Sequence, residues 1–600
     1  MLLRSREDVR VHELTDEQKD FLRAEGNVVL CACPGSGKTY VVAKKLLQYI
    51  QSWNRSHQGV AVLSFTNVAS DEIEKQTKEL MPNGFKIDYP HFVGTIDSFI
   101  NNYILLRFGY LLMPTPQRPT IAIKDLFSIP FRFWRNECHR NRCIDNIHEF
   151  RWDMNGTLLR KKDPVDCISG SYGPPCYQYK KMLLRKGFVF QSEVSSLSYW
   201  LLRDHPEIAK AVSARFPIII LDEAQDTSIK QMAILDLINN GGTESVFLVG
   251  DPDQSIYEWR NATPECFIEK MNNGDWETLS LTTNFRSSQL ICNATQAFAH
   301  TLEGKSPSQA GGLCAGHNQK PILLLFNGNT NDLKSELIDK FLAVCEKNKI
   351  PNETGNIAIV TRSRIHDDTE IPGLWKSKEV EIFAQAAYEW FEGTRKRAYE
   401  LCERALFSLT VKELRDINVS IETDVEELMT YESWRYIVIN VLTKLPTVNQ
   451  PLERWITQIK GILESMLAET GFSIHDGRTI NDVIKIKSRD QSVPHFKNIL
   501  LRHYFEVKNQ SNYTLSSIHG VKGETYDALM LIVESRTGRT ITPTFLNDGD
   551  LNQELMRIAY VAMTRPRKLL VVSMPDIKGR KVHKRFPPDK WDYENITLNT

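Results

Sequence analysis

The chain has 600 residues, 42% hydrophobic and 25% charged, the ordinary balance of a soluble globular protein, which excludes fibrous repeats and extensive disorder. Its 74 basic residues match its 74 acidic ones, so bulk charge points to no polyanionic partner and any nucleic-acid surface must be a local groove. The length exceeds what one hydrophobic core can hold and predicts roughly four compact units.

The opening "MLLRSREDVRVHEL" lacks an apolar core of signal-peptide length, and no later run is long enough to cross a bilayer. The expected location is therefore cytoplasmic, with no membrane partner. Eleven cysteines, with Cys31 and Cys33 beside a glycine loop, suit a reducing compartment better than a disulfide framework. Cys138, Cys143, Cys167 and Cys176, with His139, are spaced C-x4-C and C-x8-C. These are not the tight pairs of zinc sites, so free thiols are expected there.

In chain order, the first predicted strand is "NVVLCA", and it breaks into a loop carrying Gly35, Ser36, Gly37, Lys38 and Thr39 before the helical "YVVAKKLLQYI". Glycines let backbone N–H groups approach a phosphate chain, and the helix N-terminus that follows adds a favourable dipole. Strand, loop, lysine, hydroxyl and helix together fit a Walker A loop, with Ala32 where the general pattern has its first glycine. The segment "FPIIILDEAQDTS" supplies the second half: an apolar strand expected from Phe216 to Leu221 ends in Asp222 and Glu223. Asp222 would share magnesium with the Thr39 hydroxyl, and Glu223 would orient and deprotonate water. A third strand-loop, "SVFLVGDPDQSIYEWRNAT", places Gln254 where a neutral amide can sense a γ-phosphate. Tyr257 and Trp259 follow at alternating positions and share a face if the segment is extended; they read either as half-buried core aromatics or as a base-stacking platform.

These residues resemble superfamily 1 DNA helicases of the UvrD/Rep/PcrA type, with eight motifs in order along most of the chain. "LTDEQKDFL" resembles the adenine-reading Q motif, with Gln18 as its glutamine, "SFTNVASDEI" motif Ia, and "GTIDSF" the next strand-crossing motif. "LDEAQD" resembles motif II, "VGDPDQSIYEWR" motif III, "TTNFRSS" motif IV, "SSIHGVKGETYDALML" motif V and "RIAYVAMTRPRKLLVV" motif VI.

The resemblance implies an α/β fold of two RecA-like P-loop motor domains with parallel sheets, each interrupted by a largely helical insertion. The motif spacing places the first motor at 1–95 and 187–280 with an accessory insertion at 96–186, and the second at 281–370 and 512–600 with a helical insertion at 371–511. The resemblance further implies Mg-ATP as the cofactor, single-stranded and duplex DNA as partners, and 3'-to-5' movement. Arg286 and Arg565 would face the nucleotide from the second motor, where a permanently charged planar fork stabilises a transferring phosphoryl group. Tyr40 and Phe285 would stack on adenine, and Glu524 would approach the ribose. Phe65, Thr66, Asn67, Tyr257, Trp259, Ser517, His519 and Lys522 would line a single-stranded DNA groove.

Four positions depart from the family pattern. Tyr40 and Phe285 stand where arginine and tyrosine are frequent. Glu524 directly follows Gly523, which puts Thr525 at the acid's usual place, and Asp97 replaces a frequent histidine, so no DNA contact is assigned to it. The first insertion carries basic and aromatic stretches such as "FRFWRNECHRNRC", which suit a DNA-facing accessory domain or a solvated basic surface equally. The helical stripes near 381–406 and 451–470 read as core packing. The basic "KGRKVHKRFPPDK" reads as a solvated end, with no length left for an appended nuclease. Size, "HGVKGETYDA" and the missing nuclease also resemble helicase subunits of two-component phage-defence systems whose partner is an OLD-type nuclease. The rival to an autonomous helicase is therefore a nucleotide-gated DNA-sensing or loading subunit that works with a separate nuclease.

Overall fold

The computed structural model describes residues 13–81, 87–113, 118–122, 147–160, 163–165, 175–301, 306–327, 334–353, 355–362, 375, 377–410, 425, 429–474, 477–485, 500–507, 513–533, 541–576 and 584–596. Val- and Ile-rich runs form six strands of a first sheet: β1 (Asn27–Ala32), β2 (Val60–Ser64), β3 (Phe92–Thr95), β4 (Ile218–Leu221), β5 (Ser245–Gly250) and β6 (Glu277–Leu281). They are ordered β6-β1-β5-β4-β2-β3, and every neighbouring pair is parallel. Continuous apolar runs suit such strands because helices cover both faces. Val28, Leu30, Val60, Val62, Ile218 and Ile220 pack toward Phe21, Val41 and Leu46 on one face. Val29, Leu63, Ile219, Leu221, Val246 and Leu248 alternate to the other.

The second sheet is built the same way from β7 (Ile322–Phe326), β8 (Ile357–Thr361), β9 (Thr514–Ser517), β10 (Tyr526–Ile532), β11 (Pro566–Pro575) and β12 (Asp592–Ile596). Its order is β9-β8-β10-β11-β7-β12, again all parallel. Two parallel sheets of this kind are the two RecA-like motor folds of the expected α/β class.

Two local expectations change, the start of β4 and the course of the tail. Phe216 is not in a strand: it caps the helix Pro206–Arg215, and Pro217 delays β4 to Ile218. The expected solvated tail instead buries Phe586 and Trp591 in the second core and ends as edge strand β12, paired with β7 from Ile322↔Asp592 onward. Phe586 packs against Trp591 and Phe298, and Arg585 is held by the carbonyls of Leu546 (3.2 Å) and Gly549 (2.6 Å). The described part of 96–186 mixes helix with short strands, including an antiparallel trio at 150–152, 158–160 and 163–164. Its Phe150, Trp152, Leu158 and Leu183 share one continuous core with the first sheet. The segment 375–505, by contrast, has a core of its own, running from Trp375 to Phe505. Of the cysteine group only Cys176 is described, and it is buried; Cys138, His139, Cys143 and Cys167 lie outside the described residues.

Candidate nucleotide and strand-contact site

The site gathers at the C-terminal ends of β1, β2, β4 and β5, where open α/β sheets bind ligands. After β1, Gly35 (φ 73°) and Gly37 (φ 82°) take left-handed conformations. Gly37 then opens helix α2 (Lys38–Ser52). A Cβ on Gly35 would stand 2.5 Å from Asn284 Oδ1 and 2.6 Å from Arg286 Cβ, and the Phe285 N–H donates to the Gly35 carbonyl at 2.9 Å. The phosphate loop is thus packed directly by the segment after β6.

Gln18 lies in helix α1 (Asp16–Arg23), where it closes a capping box with Thr15, and its Nε2 donates to the Ser36 carbonyl at 3.2 Å. The Ser36 hydroxyl is buried with no hydrogen-bond partner. An orphan donor inside a glycine cradle fits a phosphate oxygen. Tyr40 is half-buried under the Lys44 ammonium, 5.1 Å from its ring centre.

After β4, Asp222 accepts the Glu223 N–H through Oδ1 at 2.9 Å, and Thr39 Oγ1 stands 3.5 Å from Oδ2. Glu223 adopts a left-handed backbone (φ 54°), strain of about 1–3 kcal/mol for a non-glycine residue that surrounding structure must hold. Burial, and then the adjacent Glu223 charge, push Asp222 well above the usual carboxylate range. Burial pushes Glu223 the same way, but Lys38, Lys522 and the Gln225 hydrogen bond (2.5 Å) outweigh it and hold Glu223 below its usual value. A buried acid that resists ionisation beside a hydroxyl fits a cation shared by Asp222 and Thr39.

After β5, Gln254 is buried with both ends of its amide bonded. Its Nε2 donates to Asp251 Oδ2 at 2.5 Å, and its Oε1 accepts from Arg565 Nη2 at 2.6 Å. Arg565 follows helix α4 (Glu554–Met563) and also donates through Nε to the Val561 carbonyl at 2.9 Å. Arg286 donates to the Thr564 carbonyl at 3.1 Å, so both arginines meet at one corner of the second motor.

On the strand-contact side the structure brings Phe65, Tyr257, His519 and Lys522 together. The Phe65 and Tyr257 rings lie 5.0 Å apart, Tyr257 and His519 5.9 Å apart, and the Lys522 ammonium is 4.7 Å from the Tyr257 ring centre. Lys522 does not point into an open groove. Its Nζ lies 2.5 Å from Asp226 Oδ2, 3.0 Å from the Gln254 carbonyl and 4.0 Å from Glu223 Oε2. His519 Nε2 lies 3.1 Å from the Ile256 carbonyl. Thr66 caps helix α3 (Asn67–Leu80), Asn67 is exposed beside it, and Ser517 caps the turn Ile518–Val521. Glu524 stands exposed after Gly523. The extended geometry expected for 257–259 is absent, because Glu258–Arg260 is a tight 3-10 turn that breaks the period of two. The Trp259 side chain lies outside the described residues.

Sequence reasoning missed four contributors. Ile256 follows β5 yet is fully buried in the core of the second sheet. Arg557 pairs with Glu258 and donates to the Ser255 carbonyl at 2.7 Å, while Glu554 Oε1 accepts the Glu258 N–H at 2.9 Å. Lys45 on α2 donates to the carbonyls of Phe21 (3.2 Å), Leu22 (2.9 Å) and Ala24 (2.6 Å), capping α1, with its ammonium 4.6 Å from the Phe247 ring centre. The signal for Lys45 was faint: a lysine one position off the polar face of an amphipathic helix.

A phosphate loop after β1, paired acids after β4, Arg565 reaching the same cleft from the second parallel sheet and Arg286 bonded to the Thr564 carbonyl beside it define a two-domain P-loop motor. The UvrD/REP helicase N-terminal domain matches residues 14–129 and 175–274, and the UvrD-like helicase C-terminal domain matches residues 478–576, together more than half of the chain. The chain belongs to the UvrD/Rep/PcrA-type superfamily 1 helicases, ATP-binding and DNA-binding proteins that use ATP with a divalent metal. It is 22% identical to Gabija protein GajB of Bacillus cereus over 578 residues, covering 94% of this chain and 95% of that protein. It is 23% identical to DNA helicase II of Rickettsia typhi (94% and 92% covered) and 19% identical to ATP-dependent DNA helicase PcrA of Staphylococcus aureus (94% and 83% covered). No described helix is long and apolar enough to cross a membrane.

Proposed function

We propose that the chain is a DNA-dependent ATPase that moves 3'-to-5' along single-stranded DNA and unwinds duplex, with motor domains at 1–95 plus 187–280 and 281–370 plus 512–600. The observation that carries this reading is the Lys522 ammonium. It stands between Glu223 at the nucleotide acids and Tyr257 at the strand-contact cluster, and this placement supports a path from one to the other.

When bound, Mg-ATP supplies the electrophilic γ-phosphoryl group and the cation that screens it. Lys38 and the loop N–H groups hold the phosphates, Thr39 and Asp222 hold the cation, and Gln18, Tyr40 and Phe285 flank the base. Glu223, kept ionised by its basic neighbours, orients water and takes its proton at Oε. Arg286 and Arg565 stabilise the charge that spreads over the transferring group, which requires the two motors to be closed. Release of that closure is the stroke.

The end-to-end match with Gabija protein GajB favours a second reading: a nucleotide-gated DNA-sensing or loading subunit acting with a separate nuclease in defence. Strand displacement by the purified chain, on matched duplexes with a 3' or a 5' tail, separates the two. ATP-dependent displacement from the 3' tail alone supports the helicase; DNA-stimulated hydrolysis without displacement supports the subunit.

A further inference from the structure

The end of the first sheet opposite the nucleotide carries a basic cavity that the motor chemistry does not use. It is open to solvent, has a volume of about 490 Å³ and is lined by Asn102, Tyr103, Leu106, Arg107 and Arg118. Tyr103 packs edge-on against Phe216 (4.7 Å between centroids), two residues before β4, and against Phe92 (5.4 Å), the first residue of β3. The Gly59 N–H, just ahead of β2, donates to the Arg215 carbonyl at 2.9 Å. Phosphate loop and acids lie at the other ends of these strands, roughly 15 Å away at about 3.3 Å of rise per residue.

Three guanidiniums share this corner. Among the described residues no carboxylate lies within ion-pair distance of Arg107, Arg118 or Arg215. Aromatic rings fix two of the planes: Arg107 lies 5.2 Å from the Tyr103 ring centre, and Arg215 lies 5.1 Å from Tyr89 and 4.3 Å from Phe216. Arg107 donates to the Asn102 carbonyl through Nε at 3.1 Å, and among the described residues its two terminal nitrogens meet no further hydrogen-bond partner. Arg215 Nη1 is buried with no hydrogen-bond partner. Arg107 and Arg118 are exposed, so water fills their donors when no ligand is present, and a stacked guanidinium presents its fork edge in the geometry that binds phosphate bidentately. In a chain whose total charge is balanced at 74 against 74, such a cluster is the local footprint expected of polyanion binding.

We propose that this cavity is a second DNA contact, in which Arg107 and Arg118, with the Asn102 amide, take backbone phosphates of DNA that lies outside the motor groove. The contact rests on the chain working on DNA, not on its unwinding, and reads no sequence because it touches only phosphate.

The test is equilibrium binding without ATP by the full chain carrying Arg107→Ala and Arg118→Ala. It uses a long-tailed duplex and an oligonucleotide too short to leave the motor groove. The long substrate should bind about 10-fold more weakly, with a log–log salt slope shallower by about two, while the short one binds as to the parent. Arg107→Lys with Arg118→Lys should restore the slope. Superimposable curves for the long substrate overturn the proposal. So does a variant that keeps its DNA affinity but loses a second bound equivalent of free nucleotide, which would make the cavity a nucleotide site. A parent chain that binds tailed duplex but fails to unwind it contradicts the helicase reading alone.

Discussion

Arg565 Nη2 donates to Gln254 Oε1 across 2.6 Å, joining the end of α4 in the second motor to the loop after β5 in the first. The same Gln254 holds Asp251 through its other atom, and its carbonyl accepts from Lys522. The side-chain amide therefore joins Asp251 to a candidate finger, while the main-chain carbonyl of the same residue meets Lys522 of the strand-contact cluster. Gln254→Ala should keep ATP binding but lose stimulation of turnover by single-stranded DNA by at least ~10-fold, the scale of one preorganised polar contact. Steady-state turnover with and without oligonucleotide measures it, and intact stimulation would remove Gln254 from the coupling path.

Lys522 and Asp226 form a buried pair with Glu223 4.0 Å from the ammonium. Lys522→Met leaves two carboxylates unscreened, and Asp226→Asn leaves the ammonium short of its closest partner. Each should cut DNA-stimulated turnover about 10-fold or more, and the double variant should lose clearly less than the product of the two, because contacting residues are not additive. Losses that simply multiply would show the pair is not coupled.

Lys45 should act on ATP binding without touching ATP. It caps α1, whose Gln18 reaches the Ser36 carbonyl, so Lys45→Met is expected to raise KM for ATP several-fold with a smaller change in kcat. Burial pulls its pKa down to about 8 from 10.5. The folded chain therefore sheds this proton before the unfolded chain does, and stability from this site rises as pH climbs from 8 to 10.5. The Tm of the parent minus that of Lys45→Met should increase across that window; a flat difference would mean that Lys45 titrates normally.

Much of this was legible because local chemistry and global fold agree at the motor. Apolar runs made β1, β4 and β5 visible, and the glycines and acids that end them marked the site. What stayed hidden came from contacts distant in sequence. Nothing local shows that Ile256 will plug the second core, that Glu223 will take a left-handed backbone, or that Lys522 will turn toward Asp226. The alternation of Tyr257 and Trp259 misled because a period of two holds only in extended chain, and the segment turns. The tail misled because its charges obscured Phe586 and Trp591, two of the residues that fasten it.

The central claim is that Glu223 activates water in a nucleotide site closed by both motors. The most direct measurement is DNA-stimulated ATP turnover by Glu223→Gln, with nucleotide binding followed in parallel. Binding should persist while turnover falls at least ~100-fold, the scale of a lost general base. Turnover at the parent rate with binding intact would contradict the account.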